Sequence, residues 1–125
     1  NFIFKSKNIV KFKFDHNQIS RVCFNLIKNS IESLKEKVKK TPKFVKNINV
    51  EIEEHIDYIS LTIIDTGLGF KNINKSELTK PYFTTKTEGT GLGLSIVSKI
   101  INDHNGLISF MNLKNGAEVQ IKFYI

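Results

Sequence analysis

Asp65-Thr-Gly-Leu-Gly69 and, twenty residues on, Gly89-Thr-Gly-Leu-Gly-Leu94 decide how this chain is read. The second stretch runs straight into a segment of helical periodicity. Close-spaced glycines at a helix start leave backbone N–H groups bare, and the helix dipole there favours negative charge. The spacing of Gly89, Gly91 and Gly93 is G-x-G-x-G. It is neither the dinucleotide fingerprint nor a P-loop, which would end in Lys followed by Ser or Thr. Three glycines in this position suit backbone amides that must reach phosphate oxygens rather than a simple hinge. The first stretch places a carboxylate, Asp65, at the end of an otherwise apolar strand. A turn-capping Asp would have the same form. A carboxylate there can also accept a hydrogen bond from an adenine amino group, which guanine does not offer at that position. Gly67 and Gly69 then let the backbone approach a base closely.

Working outward, residues 8–14 alternate and read as a strand. Asp15 or Asn17 can cap a following helix, with Gln18 three residues after Asp15 as in a capping box. The apolar residues Ile19, Val22, Cys23, Leu26, Ile27, Leu34 and Val38 recur at helical spacing to about residue 38, and Thr41-Pro42 ends the helix. Residues 47–54 and 57–65 alternate as two strands of a hairpin. Residues 70–88 are polar and irregular, with one helical turn near Ser76, and so long a loop in a compact domain is usually functional. A helix is expected from Leu92 to His104, closed by a left-handed cap at Asn105-Gly106. Strands over 107–112 and 117–124 meet at Asn115-Gly116. This order predicts helices on one face of a mixed sheet.

The 125 residues amount to one domain, and 40% hydrophobic residues with ten Phe supply a core. The chain opens on Asn1, and 1–125 is read as a single domain taken from a longer protein. No apolar run approaches the roughly 20 residues of a membrane helix, and no signal peptide is evident. The lone Cys23 cannot form an internal disulfide, as suits a reducing compartment. The formal charge of +7 invites a nucleic-acid reading. However, the lysines are scattered, and the one cluster, from Lys35 to Lys43, reads as solvated surface. The aromatics read as strand core, so nucleic acid is not the expected partner.

Asn25 and Asn29 lie four apart on one helix face. An amide oxygen is a suitable hard ligand for Mg²⁺, which takes few protein ligands and keeps several waters. Two solvated asparagines in an Asn-rich chain fit the pair equally well, and it is the glycine turns downstream that favour the site. Lys86, just before the second glycine turn, can neutralise a terminal phosphate or sit in solvent. The three histidines have no metal-ligand or triad partner at useful spacing.

Taken together, these motifs resemble the catalytic, ATP-binding domain of bacterial sensor histidine kinases, within the GHKL superfamily that includes gyrase, heat-shock chaperone and mismatch-repair ATPases. The resemblance runs from about Ile9 to Phe123. Asn25-Leu-Ile-Lys-Asn29 looks like the N box, Asp65–Gly69 the G1 box and Gly89–Leu94 the G2 box. Pro81-Tyr-Phe-Thr-Thr-Lys86 resembles the lid segment after the F box. The Asn-Ser-Ile-Glu-Ser run at 29–33, the lid segment and Gly116-Ala117 look most like nitrogen-regulation sensors of the NtrY/NtrB type. The resemblance implies an α/β (α+β) two-layer sandwich of the Bergerat type. Its sheet is mixed and mainly antiparallel, with about five strands covered on one face by about three helices.

The resemblance also implies a nucleotide site of Asn25, Asn29, Asp65, Gly67, Gly69, Thr85, Lys86, Gly89, Thr90, Gly91, Leu92, Gly93 and Leu94. In it Asn29 holds Mg²⁺, Asn25 and Lys86 share the catalytic role, and Asp65 reads adenine. Three positions depart from the family pattern. Thr79 stands where the F box usually has Phe, Glu32 where Lys is common, and Ala117 where Thr is common. The family's acceptor histidine is absent from this chain. The chain is therefore expected to bind Mg-ATP and pass the γ-phosphate to a histidine on a separate dimerisation domain, and thence to a response regulator receiver domain. The setting would be a cytoplasmic domain of a parent anchored in the inner membrane. Two rivals are an ATP-hydrolysing relative, which would carry Glu at position 25, and a non-catalytic nucleotide or nucleic-acid binding module.

Overall fold

The computed structural model describes residues 1–8, 11–70 and 93–125. Five strands and two helices lie among them: β1 (Phe2–Ser6), α1 (His16–Lys40), β2 (Ile48–Glu54), β3 (Tyr58–Asp65), α2 (Gly93–Asp103), β4 (Gly106–Leu113) and β5 (Gly116–Tyr124). They form one sheet in the order β1-β2-β3-β5-β4. Only the β1–β2 pair is parallel, and the other three pairs are antiparallel. This is the mixed, mainly antiparallel five-stranded sheet that was expected. Two of the about three helices are described.

Alternation sets which side of the sheet meets the helices. Ile48 and Val50 pair across β2–β3 with Asp65 and Ile63. Leu61 and Ile63 pair onward with Ile121 and Val119 of β5. Most of these side chains join Val22 and Leu26 of α1 and Val97, Ile100 and Ile101 of α2 in one core. Val22, Val97, Ile101 and Ile121 are wholly buried. Each such side chain is worth about 1.5–3 kcal/mol over its exposed state.

The helix ends follow their sequence signals. Asp15 caps α1 by accepting the Gln18 N–H at 3.0 Å. Thr41 ends it outside helical geometry, its N–H bonded to the Lys37 carbonyl, ahead of Pro42. Asn105, at φ 54°, supplies the left-handed residue after α2. Beside it His104 links the two helices: its Nδ1 lies 2.8 Å from the Ile100 carbonyl, and its Nε2 accepts the Asp15 N–H at 3.1 Å.

The first strand is a correction. Alternation was read over 8–14, but the strand is Phe2–Ser6, in parallel register with Ile48–Ile52. Residues 11–14 are not strand. The alternation there reflects aromatic packing instead: the Phe12 ring lies 4.8 Å from Phe14 and 5.1 Å from Phe123. The helical turn expected near Ser76 and the start of the second helix at Leu92 lie outside the described residues. So does Thr79.

Candidate nucleotide-binding site

Asp65 closes β3 at the point where its neighbours on the sheet are Ile48 and Ala117. The position is deep, and only 6% of Asp65 is exposed. Burial pushes its carboxyl above the ordinary value of 3.8. Three features pull the other way: the Gly67 N–H, the buried Ser30 hydroxyl and the Lys37 charge. The Gly67 bond, to Oδ1, is 2.8 Å.

The turn after Asp65 is tied down on three sides. From the segment leading into β2, the Thr66 N–H bonds to the Asn47 carbonyl at 3.1 Å, and Thr66 Oγ1 accepts the Asn47 N–H at 2.9 Å while donating to the Val45 carbonyl at 2.7 Å. From α1, Ser33 Oγ accepts the Leu68 N–H at 2.9 Å, and Lys37 Nζ donates to the Thr66 carbonyl at 2.7 Å. From the β4–β5 hairpin, Asn112 Oδ1 accepts the Phe70 N–H at 2.6 Å, and the Phe70 ring meets Phe110 edge-on at 5.5 Å.

The glycines here are required by close approach. A Cβ on Gly67 would overlap the Ser33 hydroxyl, and one on Gly116 would overlap the Asp65 carbonyl oxygen. Gly69 sits at φ 73°, where side chains are strained.

The second glycine turn is described only from Gly93, the first residue of α2. A Cβ there would lie 3.1 Å from Asn25 Oδ1, so the first asparagine of the pair abuts the helix start that the glycines lead into. Asn25 Nδ2 donates to the Arg21 carbonyl at 2.9 Å. Leu94 packs against the core. Asn29 lies one turn beyond Asn25 on α1, half-buried. Thr85, Lys86, Gly89, Thr90, Gly91 and Leu92 lie outside the described residues. Of the departures noted in the sequence, Glu32 stands 3.9 Å from Lys28 in an i,i+4 pair, and Ala117 is buried beside Asp65.

Sequence reasoning missed the residues that hold the first turn. Lys37 was read as solvated surface, yet its amine is a part-buried donor and also lies 4.5 Å from the Phe44 ring centroid. Ser30 and Ser33 were seen only as part of a resemblance. The available signal was the spacing of Ser33, four residues after Asn29 and so on the helix face already assigned to the site.

Residues 14–125 match the family described as histidine kinase-, DNA gyrase B-, and HSP90-like ATPase. The chain belongs to that family. An NtrY-like sensor histidine kinase of Rickettsia felis is 35% identical over a 127-position alignment that covers 98% of this chain and 20% of that protein. Nitrogen regulation protein NtrY of Azorhizobium caulinodans is 33% identical over 88% of the chain and 14% of its own length. The chain thus spans about a fifth of the first of these relatives and less of the second. Among solved structures, the nucleotide-free catalytic domain of histidine kinase ThkA superposes with a TM-score of 0.84 at 31% identity. The match covers 99% of this chain and 78% of that one. Fold, motifs and relatives agree on the catalytic, ATP-binding kind of domain found in sensor histidine kinases. No helix among the described residues is long and apolar enough to cross a membrane.

Proposed function

We propose that this chain binds Mg-ATP and presents the γ-phosphate to a histidine on a separate dimerisation domain, the first step of a two-component relay. The observation that carries the proposal is the buried Asp65 carboxylate. It is held by the Gly67 N–H at the end of a strand, in a turn where glycine is required for close approach. A carboxylate so fixed accepts from the adenine amino group and discriminates against guanine.

The donor set fits the groups implied. Gly67 and Gly69 leave room at the base end, and Gly93 opens α2, whose N-terminal amides suit phosphate oxygens. Asn29 would hold Mg²⁺ through its amide oxygen, and the metal would neutralise charge on the phosphates. Asn25 supports that end of the site through its contact with Gly93. Thr85, Lys86, Gly89, Thr90, Gly91 and Leu92 complete the phosphate end in this reading. The chain's work is positioning and charge stabilisation, which is most of what phosphoryl transfer asks of a protein.

The relatives are described as sensor kinases, and ThkA has been solved in complex with response regulator protein TrrA. These findings support a receiver domain as the downstream partner; the proposal further takes the chain as a cytoplasmic domain of a parent anchored in the inner membrane. The test mixes this chain with its parent's dimerisation segment and radiolabelled ATP. Acid-labile label should appear on that segment alone and vanish with Asn29→Ala. Label on this chain, or multiple-turnover phosphate release by the chain alone, would refute the proposal.

A further inference from the structure

Asn25, Asn29, Ser33 and Lys37 are spaced by four and form one i±4 ridge of α1. At 1.5 Å per residue the ridge spans about 18 Å. Its ends reach different parts of the site. Asn25 abuts Gly93, where the second glycine turn enters α2. Ser33 and Lys37 hold the base-reading turn through Leu68 N–H and the Thr66 carbonyl. These last two contacts flank Gly67, whose own N–H is fixed by Asp65.

We propose that Ser33 and Lys37 are positioning residues for nucleotide selection. They register the turn carrying Asp65 against the helix that carries the two asparagines. One rigid ridge then sets the separation between the base end and the phosphate end of the pocket. The proposal rests on the nucleotide-site reading above and adds residues that the reading does not contain.

Three features of the contacts support the role. Ser33 accepts a backbone N–H and needs only its hydroxyl oxygen. No other acceptor for that N–H is present among the described hydrogen bonds, so Ser33→Ala leaves a part-buried donor unpaired. The fit is close, because a Cβ at Gly67 would strike both Ser33 Oγ and Ser33 Cβ. Lys37 reaches the turn with its amine 4.5 Å from the Phe44 ring centroid, so the amine is held between ring and carbonyl rather than waving in solvent. A turn freed at Leu68 and Thr66 keeps its Asp65–Gly67 bond but loses its register to α1.

The experiment is ATP and GTP binding by calorimetry on the purified chain. The variants are Ser33→Ala, Lys37→Met, Lys37→Arg, Asp65→Asn and the double variant Ser33→Ala/Asp65→Asn. Melting temperatures are measured alongside. Ser33→Ala and Lys37→Met should each weaken ATP by about 5- to 30-fold, with GTP little changed, and Lys37→Arg should restore most of the Lys37 loss. In the Asp65→Asn background, Ser33→Ala should cost ATP little more, because it acts through the carboxylate. If Asp65→Asn itself leaves ATP affinity unchanged, the adenine-reading assignment fails. If Asp65→Asn weakens ATP but Ser33→Ala and Lys37→Met do not, or weaken ATP and GTP alike, the ridge proposal is overturned. Should Ser33→Ala not fold, the Lys37→Met and Lys37→Arg pair decides the matter alone.

Discussion

Replacing Asp65 by Asn separates what this residue does for binding from what it costs the fold. The side chain is 6% exposed, and its Oδ1 is occupied by the Gly67 N–H at 2.8 Å. An Asn keeps that bond through its own carbonyl oxygen and fills the same volume. What it loses is the second carboxylate oxygen, which becomes an amide nitrogen facing the adenine amino group, donor against donor. A hydrogen bond to a charged acceptor is worth about 1.5–3 kcal/mol, or about 10- to 150-fold in ATP affinity. GTP affinity, which gains nothing from the carboxylate, should hardly move. The apo protein should respond in the opposite sense. Burial holds the carboxyl above its ordinary value, so the ionised form is strained in the fold. A neutral isostere relieves that strain, and the melting temperature at neutral pH should rise. Titration calorimetry and a thermal melt on the same sample read both effects. Unchanged ATP affinity, or an equal loss for ATP and GTP, would refute the base-reading role. A melting temperature that falls would refute the claim that burial of the charge is the dominant local term.

The same carboxylate predicts opposed pH trends. Its folded value is raised, so its contribution to apo stability is fully present below 3.8 and is lost as pH rises through the folded value, whereas ATP affinity falls as pH drops through that value. Melts and calorimetry across the acid range should show both trends, and Asp65→Asn should flatten them. Gly116→Ala places a Cβ onto the Asp65 carbonyl oxygen. It should cost about 1–3 kcal/mol in denaturant unfolding by overpacking and weaken ATP as the strand end shifts. Asn29→Ala should abolish magnesium-dependent phosphotransfer to the parent's dimerisation segment while leaving nucleotide affinity within a few-fold, since the base contacts lie elsewhere. Single-turnover labelling set beside calorimetry distinguishes the two.

Where periodicity and chemistry coincided, the sequence was legible. The β2–β3 pair shows in its alternation, and α1 and α2 combine an apolar repeat with boundary signals: Asp15 and Pro42 bracket α1, and Asn105 follows α2. The first strand was not legible, because alternation reports half-burial and not pairing. Phe12 and Phe14 alternate as well as Phe2 and Phe4 do. Only Phe2–Ser6 finds a ladder partner, Ile48–Ile52, and that partner lies across the whole of α1 in sequence. A parallel register set over forty residues leaves no mark in a local window.

The site divides along the same line. Asp65, the glycines and the asparagines stand out in the sequence because their chemistry is unusual for their local structure: a carboxylate ending an apolar strand, glycines leading into a helix. Ser33, Lys37 and Asn112 are ordinary residues in ordinary places, and their roles are created by tertiary contact. The position that separates kinase from hydrolase was legible both ways. Position 25 is Asn where a hydrolytic relative would carry a Glu base. In the fold its amide nitrogen donates to the Arg21 carbonyl at 2.9 Å, and its oxygen lies against Gly93. A carboxamide cannot take a proton from water; its nitrogen bonds within α1, and only its oxygen faces the start of α2. A residue here that cannot activate water fits the proposed transfer to an acceptor brought from outside the chain.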